Sequence, residues 1–217
     1  MKIVAGVEEA GRGPVIGPLV MAVVTVEESQ LKLLEELGVK DSKQLKLFEI
    51  NFLYEKIKEI CKTKTIIINP REIDVSLISN KFNLNQLEAL VTAKLISSVE
   101  FDEVMLDCPM VKTRKYVHYV EHYLKKNISG KIFAENKADE KYVVVAAASI
   151  IAKKVREREI EGLKKKHGVD FGSGYPGDRK TINFVKENYN KYNFFRKSWS
   201  TYKKHAFKSK KLTVFDK

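Results

Sequence analysis

Cysteine is scarce in this chain. The 217 residues include only Cys61 and Cys108, which lie far apart and in none of the spacings typical of metal sites. The chain is therefore neither a disulfide-rich secreted scaffold nor a cysteine-based zinc module. Such sparse cysteine usage is typical of a reducing compartment, and we expect a cytoplasmic protein.

Long apolar runs and low-complexity segments are also lacking. No run approaches the roughly 20 apolar residues that a membrane-spanning helix needs. The first residues lack the basic-then-apolar layout of a signal peptide, because Glu8 and Glu9 interrupt the apolar run. The sequence predicts neither a membrane partner nor a signal peptide, and it contains no internal repeat.

Acidic residues are outnumbered: 28 Asp and Glu stand against 40 Lys and Arg, which gives a net charge of +12 and a pI near 9.5. This balance favours a polyanionic partner, of which nucleic acid is the usual one. A lysine-rich, solvated surface of the kind found in heat-adapted proteins would give the same balance. The hydrophobic content of 44% is that of an ordinary globular protein, and the length allows one or two domains.

Residues 6–18 combine carboxylates with a glycine-rich turn. Glu8 and Glu9 end an apolar run, and Arg12 follows between Gly11 and Gly13. Carboxylates are ligands for hard cations such as Mg²⁺. Glycines let backbone amides approach a ligand, and an arginine beside them suits a phosphate ester. The stretch predicts one wall of a metal-dependent phosphodiester-cleaving site, although a surface hairpin turn would have a similar sequence.

The apolar pattern predicts a mixed sheet with helices on its faces. A glycine-rich turn joins the first two predicted strands, which favours an antiparallel hairpin. The later strands alternate with helical patterns. The predicted strands cover residues 3–7, 15–26, 65–68, 103–107 and 131–134.

Four carboxylates follow the ends of three of these strands. Glu8 and Glu9 close the first, Asp107 closes the fourth, and Asp139 follows the fifth. Open α/β sheets bind ligands at the carboxyl ends of their strands, so this placement predicts a shared site. Asp139 could instead cap the long helix predicted from it to about Lys166. Neighbouring strand residues point to opposite faces, so both glutamates can serve one site only if the strand bends or ends there.

Two further segments are candidates for contact with substrate. Ser42 and Lys43 could hold a phosphate at a helix start, or Asp41 or Ser42 could simply cap that helix. Residues 172–177 match the pattern G-x-G-x-x-G, but they follow a charged helix and include a proline, which argues against dinucleotide binding. We interpret them as a glycine-rich loop that displays Tyr175, either for stacking on a sugar or base or for packing.

The last part of the chain interleaves aromatic and basic residues. We expect the aromatic side chains to pack and the lysines to form a positive face for phosphates. The aromatic residues are Phe194, Phe195, Trp199, Tyr202 and Phe207.

Taken together, several segments resemble the archaeal form of ribonuclease HII in order and over nearly the whole chain. They are GVEEAGRGP (6–14), VKDSKQL (39–45), LNQLE (84–88), LDCP (106–109), ENKADEKY (135–142), AASIIAK (147–153) and GSGYPGD (172–178). The resemblance implies a ribonuclease H-like α/β fold, with a mixed five-stranded sheet flanked by helices. It also implies a catalytic domain over residues 1–168 and a basic, helical, substrate-binding extension over residues 169–217.

The resemblance further implies a metal-dependent endonuclease, for which we expect Mg²⁺ or Mn²⁺ as two ions and a monomeric protein. Its expected substrates are RNA–DNA hybrids and duplex DNA that contains single ribonucleotides, cut on their 5′ side to leave 3′-hydroxyl and 5′-phosphate ends. This activity would serve ribonucleotide and primer removal. The implied catalytic and metal-binding residues are Glu8, Glu9, Asp107 and Asp139, and the implied substrate-binding residues are Gly11, Arg12, Gly13, Ser42, Lys43 and Tyr175.

One position departs from the family pattern, which has aspartate where this chain has Glu8. The extra methylene moves the carboxylate by roughly one bond length, and Mg²⁺ demands near-ideal octahedral geometry. Two alternatives to the implied activity therefore remain open: a non-catalytic binder of nucleic acid, or another nuclease of the same fold.

Overall fold

Two apolar strands form the centre of a sheet. The computed structural model describes residues 1–39, 45–78, 82–125 and 128–212. Strands β1 (Ile3–Ala10) and β2 (Leu19–Glu27) pair antiparallel from Ile3↔Glu27 to Ala10↔Val20. Nearly every residue of β2 is buried, as expected for a valine-rich strand covered on both faces.

The remaining strands complete a five-stranded sheet of order β3-β2-β1-β4-β5. They are β3 (Lys62–Ile68), β4 (Glu103–Asp107) and β5 (Lys131–Glu135). Strand β4 runs parallel to both β1 and β5. The sheet is therefore mixed, and the predicted fold class is confirmed.

Helices connect and flank these strands. They are α1 (Leu31–Glu36), α2 (Leu47–Ile60), α3 (Pro70–Ile78), α4 (Leu84–Ile96), α5 (Thr113–Tyr123), α6 (Ala138–Lys141), α7 (Val143–His167), α8 (Arg179–Asn188) and α9 (Ser200–Leu212). A 3₁₀ turn (Glu28–Gln30) precedes α1. Among the described residues, no helix combines the length and the apolar character that crossing a membrane requires.

The start of α7 packs closely on β1. A side chain at Gly6 would put its Cβ 2.5 Å from the backbone carbonyl carbon of Val144, so only glycine allows this approach. Ala146, Ala147 and Ala148 follow on α7 and are fully buried in the same core. The small residues thus fix the distance between helix and sheet.

The long helix predicted from Asp139 is divided in two. Tyr142 adopts an extended conformation between α6 and α7, and its hydroxyl donates a hydrogen bond of 2.6 Å to Glu135 Oε1. Lys137, before α6, has a left-handed backbone with φ of 56°. This local geometry turns the chain sharply after β5, which the apolar periodicity alone does not reveal.

The chain forms two compact units. The first contains the sheet and comprises Met1–Ala10, Val20–Ile67 and Leu84–Val155. The second comprises Gly11–Leu19, Ile68–Asn83 and Arg156–Lys217. The sequence-based boundary at residue 168 stays a prediction.

The second unit has its own aromatic core, built around Val15, Ile16, Ile160, Phe171, Val185, Phe194 and Phe195. The strand predicted over 15–26 begins only at Leu19, because Val15 and Ile16 make other bonds. Val15 N–H donates to the Gly174 carbonyl at 2.9 Å, and Ile16 forms an isolated bridge with Phe195. Buried Asp74 accepts hydrogen bonds from the backbone N–H groups of Lys197 and Ser198 at 2.8 and 2.9 Å.

Candidate active site

The carboxylates of the sheet unit gather where β1 and β4 part. The last paired residues of these parallel strands are Val7 and Leu106, so Glu8 and Asp107 follow them at the same level. Strand β1 nevertheless continues through Glu8 and Glu9 to Ala10, paired with β2, rather than ending before them. Within the described residues, one oxygen each from Glu8, Glu9 and Asp107 lie within 4.8 Å of one another.

The environment of Glu8 disfavours its charged form. The pKa of Glu8 is raised well above its ordinary value, first by burial and then by the nearby charges of Glu9, Asp107 and Asp139. Its Oε2 atom is buried and has no hydrogen-bond partner among the described residues. A buried anionic oxygen without a partner, facing other carboxylates, fits a hard divalent cation, whose charge would reverse the repulsion.

Asp107 and Asp139 are held by the chain that leaves β5. The backbone N–H of Ala138 donates to Asp107 Oδ1 at 2.7 Å. Asp139 is the next residue, is only 4% exposed, and lies inside α6 rather than at its N-cap, which is Lys137. Asp139 therefore contributes charge near Glu8, although the group within 4.8 Å comprises the other three carboxylates.

Asn136 supports this arrangement, although it is not among the predicted site residues. Its side-chain amide donates to the carbonyls of Cys108 and Met110, both at 2.8 Å. These bonds join the segments that follow β4 and β5, next to Asp107 and Asp139 in sequence. Its position within the segment ENKADEKY (135–142) was the sequence signal that could have identified it.

Glu8 is expected to lower the free energy of unfolding when no metal is bound. Folding raises the pKa of Glu8, so the folded state binds more protons than the unfolded state at pH values between the ordinary and the raised pKa. The free energy of unfolding therefore falls as the pH rises through this range to the raised pKa. In chelator at pH 8, we expect Glu8→Gln to raise Tm by about 2–4 °C, which corresponds to about 1 kcal/mol for a chain of this length. Thermal melts with and without Mg²⁺ test this: the wild-type protein should gain stability on adding the metal and the variant should not. A metal-free variant that melts no higher than wild type would contradict it.

In the second unit, the Gly11–Gly13 turn is fixed by a buried arginine. Arg196 is fully buried, and its guanidinium donates to the carbonyls of Gly11 at 2.6 Å, Arg12 at 3.1 Å and Gly17 at 2.9 Å. Gly11 has a φ of 88°, which L side chains rarely adopt. The turn is thus held by its carbonyl oxygens.

This anchoring determines where the amides of the turn point. In a planar trans peptide the N–H is directed opposite to the C=O. Since the Gly11 and Arg12 carbonyls face Arg196, the N–H groups of Arg12 and Gly13 face away from it. Trp199 Nε1 donates to the Gly13 carbonyl at 3.2 Å and fixes the next peptide.

The same unit brings Tyr175 to the glycine-rich turn. A Cβ placed on Gly13 would lie 3.8 Å from Tyr175 Cε1, so the ring edge lies against that residue. Tyr175 is 42% exposed, and its loop is held by Gly174, whose carbonyl accepts from Val15 N–H. Four of the predicted substrate-binding residues, Gly11, Arg12, Gly13 and Tyr175, therefore lie in this unit. The predicted Asp41, Ser42 and Lys43 segment lies outside the described residues.

Comparison with known proteins gives a consistent family. A family model described as ribonuclease HII matches residues 5–202. A ribonuclease HII from Pyrococcus furiosus is 44% identical over 97% of this chain and 95% of its own length. The crystal structure of ribonuclease H2 from Pyrococcus horikoshii superposes with a TM-score of 0.87 at 38% identity, over 96% of this chain and 99% of that one. Bst-RNase HIII in complex with Mn²⁺ is similar in fold, with a TM-score of 0.81 at 22% identity, over 97% of this chain and 71% of that one.

Proposed function

Since the chain belongs to the ribonuclease HII family and is an endoribonuclease, we propose that it cuts the RNA strand of RNA–DNA hybrids and cuts on the 5′ side of single ribonucleotides in duplex DNA. The observation that carries this substrate assignment is the glycine-rich turn, whose Arg12 and Gly13 amides face away from Arg196 and whose neighbour is the half-exposed Tyr175 ring. A 2′-hydroxyl is the feature by which a protein distinguishes RNA from DNA at one position, and backbone amides can bond to it.

Hydrolysis is assigned to the carboxylates of the sheet unit. Glu8, Glu9, Asp107 and Asp139 would hold divalent cations, either Mg²⁺ or Mn²⁺ and two in number, which supply an activated water and stabilise the leaving oxygen. The oxygen cluster and the unpartnered Glu8 Oε2 support this assignment. The Mn²⁺ bound to the similar Bst-RNase HIII supports the choice of metals. The products would be a 3′-hydroxyl and a 5′-phosphate.

The other residues of the site have supporting roles. Ala138 N–H, by donating to one oxygen of Asp107, would fix the orientation of that carboxylate. The Tyr175 ring would stack against the ribose at the junction between RNA and DNA. Ser42 and Lys43 would contact the phosphate backbone. With a net charge of +12, we expect affinity to come mainly from phosphate contacts and to weaken as salt rises.

The protein would work as a monomer in the cytoplasm. Both cysteines are buried and neither forms a disulfide, which supports a reducing compartment. A sedimentation measurement at micromolar concentration in physiological salt tests the monomer.

Cleavage of a DNA duplex with one internal ribonucleotide tests the substrate assignment. The reaction is run with Mg²⁺, Mn²⁺ or chelator, beside an all-DNA duplex of the same sequence and an RNA–DNA hybrid. A single metal-dependent cut 5′ of the ribonucleotide, with the all-DNA duplex intact, is the expected result. If nothing is cut, the assay is repeated with Glu8→Asp. Restored cutting would mean that glutamate disables one ligand position, and continued silence would overturn the proposal.

A further inference from the structure

Arg156 is a buried cation whose hydrogen-bonding capacity is largely unused. It is 9% exposed, and its Nε and Nη2 atoms are buried with no hydrogen-bond partner in the part of the chain that the structure describes. Burial lowers the pKa of Arg156, yet a guanidinium stays protonated in proteins. Burying N–H donors away from water without acceptors costs free energy of folding. We therefore expect this arginine to have a role that compensates for that cost.

The contacts of Arg156 converge on the substrate-recognition residues of its own unit. The guanidinium carbon lies over the Tyr175 ring, 5.2 Å from its centroid. A Cβ on Gly11 would lie 2.3 Å from Arg156 Nε and 2.4 Å from its Cδ, so the arginine fills the space that the missing side chain leaves. Arg156 thus packs against both the turn and the tyrosine.

Tyr175 is consequently held from two directions. Arg156 lies over its ring, and its Cε1 edge lies against Gly13. The residue is still 42% exposed, which leaves part of it open to a ligand. An aromatic ring attracts a cation over its face, most strongly where water is excluded, so the arginine restricts the ring to one orientation.

We propose that Arg156, packed against the Gly11 turn, is a positioning residue that holds Tyr175 in the geometry needed to recognise the ribonucleotide. The proposal rests on the proposed function, because it names the residue that makes Tyr175 effective at the junction. Arg156 acts through the tyrosine and not on the scissile phosphate. A misplaced ring would lower the rate of the bound complex more than it lowers affinity, since phosphate contacts dominate binding.

Kinetics in two backgrounds test this role. Arg156→Gln keeps a polar side chain without charge, and Arg156→Lys keeps the charge without the planar group. Single-turnover rates and half-saturation concentrations are measured on the single-ribonucleotide duplex, alone and with Tyr175→Ala. We expect Arg156→Gln to lose about 10–100-fold in rate with half-saturation within about threefold. Arg156→Lys should lose about 3–10-fold, and both losses should vanish in the Tyr175→Ala background.

The outcomes separate this inference from the function on which it rests. If neither the wild-type protein nor Glu8→Asp cuts this substrate, the proposed function fails; if only Glu8→Asp cuts, the Arg156 variants are compared in that background. If the wild-type protein cuts and either Arg156 variant loses the same factor with and without Tyr175, Arg156 is merely structural and the inference is overturned. Full activity of Arg156→Gln would overturn it as well. Circular dichroism shows whether Arg156→Gln folds. If it does not, the inference is decided by whether the rate loss of Arg156→Lys disappears in the Tyr175→Ala background.

Discussion

Asp107→Asn is expected to abolish cleavage while nucleic-acid binding survives. Asp107 ends β4 level with Glu8, and one of its oxygens lies within 4.8 Å of oxygens from Glu8 and Glu9. The amide keeps the shape and can still accept the Ala138 hydrogen bond, but it removes a negative charge that a hard cation requires. We expect the rate in Mg²⁺ to fall at least about a thousandfold, which is about 4 kcal/mol of activation free energy.

Affinity should respond differently, because phosphate contacts come from basic residues and the variant removes a charge that repels phosphate. Fluorescence anisotropy in chelator should therefore show unchanged or tighter binding of the hybrid. Glu121→Gln is the matched control, since it makes the same charge change at an exposed position on α5. If Asp107→Asn cuts at the normal rate, or if Glu121→Gln loses activity equally, the assignment of the carboxylates is wrong.

The sheet and its acidic edge were predictable because their determinants are local. Alternating valines and short apolar runs fix β1, β2 and β4, and residues that follow parallel strands meet at one edge. The position of Glu8 beside Asp107 follows from that rule. The continuation of β1 through Glu9 does not, because β2 supplies hydrogen bonds to β1 beyond the point where β4 ends.

The arginines of the second unit were beyond prediction for a physical reason. Arg196 bonds to carbonyls about 185 residues earlier in the chain, and sequence periodicity carries no information about such pairings. By sequence, Arg196 belongs among the basic residues of the C-terminal segment, yet it is fully buried. Its position next to Phe194 and Phe195 was the sequence feature that could have indicated burial, because aromatic residues so close together are expected to form a core. Arg156 lies in a part of α7 that is rich in lysine, arginine and glutamate, and its neighbours in sequence give no comparable sign.

Arg196→Met is expected to destabilise the second unit strongly and to remove activity on all substrates. The substitution keeps much of the apolar volume but leaves the carbonyls of Gly11, Arg12 and Gly17 without their donor. Unsatisfied buried polar groups cost about 1–3 kcal/mol each, so we expect a loss of about 3–5 kcal/mol in the free energy of unfolding. Arg196→Lys should recover little, because one ammonium cannot reproduce a planar fork that reaches several acceptors. Urea unfolding followed by hydrogen exchange of the turn amides measures both effects.

Lys197→Met provides the matched control, because it removes the same charge from the adjacent, exposed side chain. Equal stability of the two methionine variants would show that the carbonyl bonds contribute nothing and would contradict the prediction.

The two buried arginines should differ in their effects. Arg196 holds the backbone of the turn before any substrate binds, so Arg196→Met should lower stability and affect hybrid and single-ribonucleotide substrates alike. Arg156, which contacts the ring, should leave the fold in place and act through Tyr175. If the proposed function holds, recognition of the ribose would depend on a rigid turn and a separately oriented ring, each held by its own buried arginine.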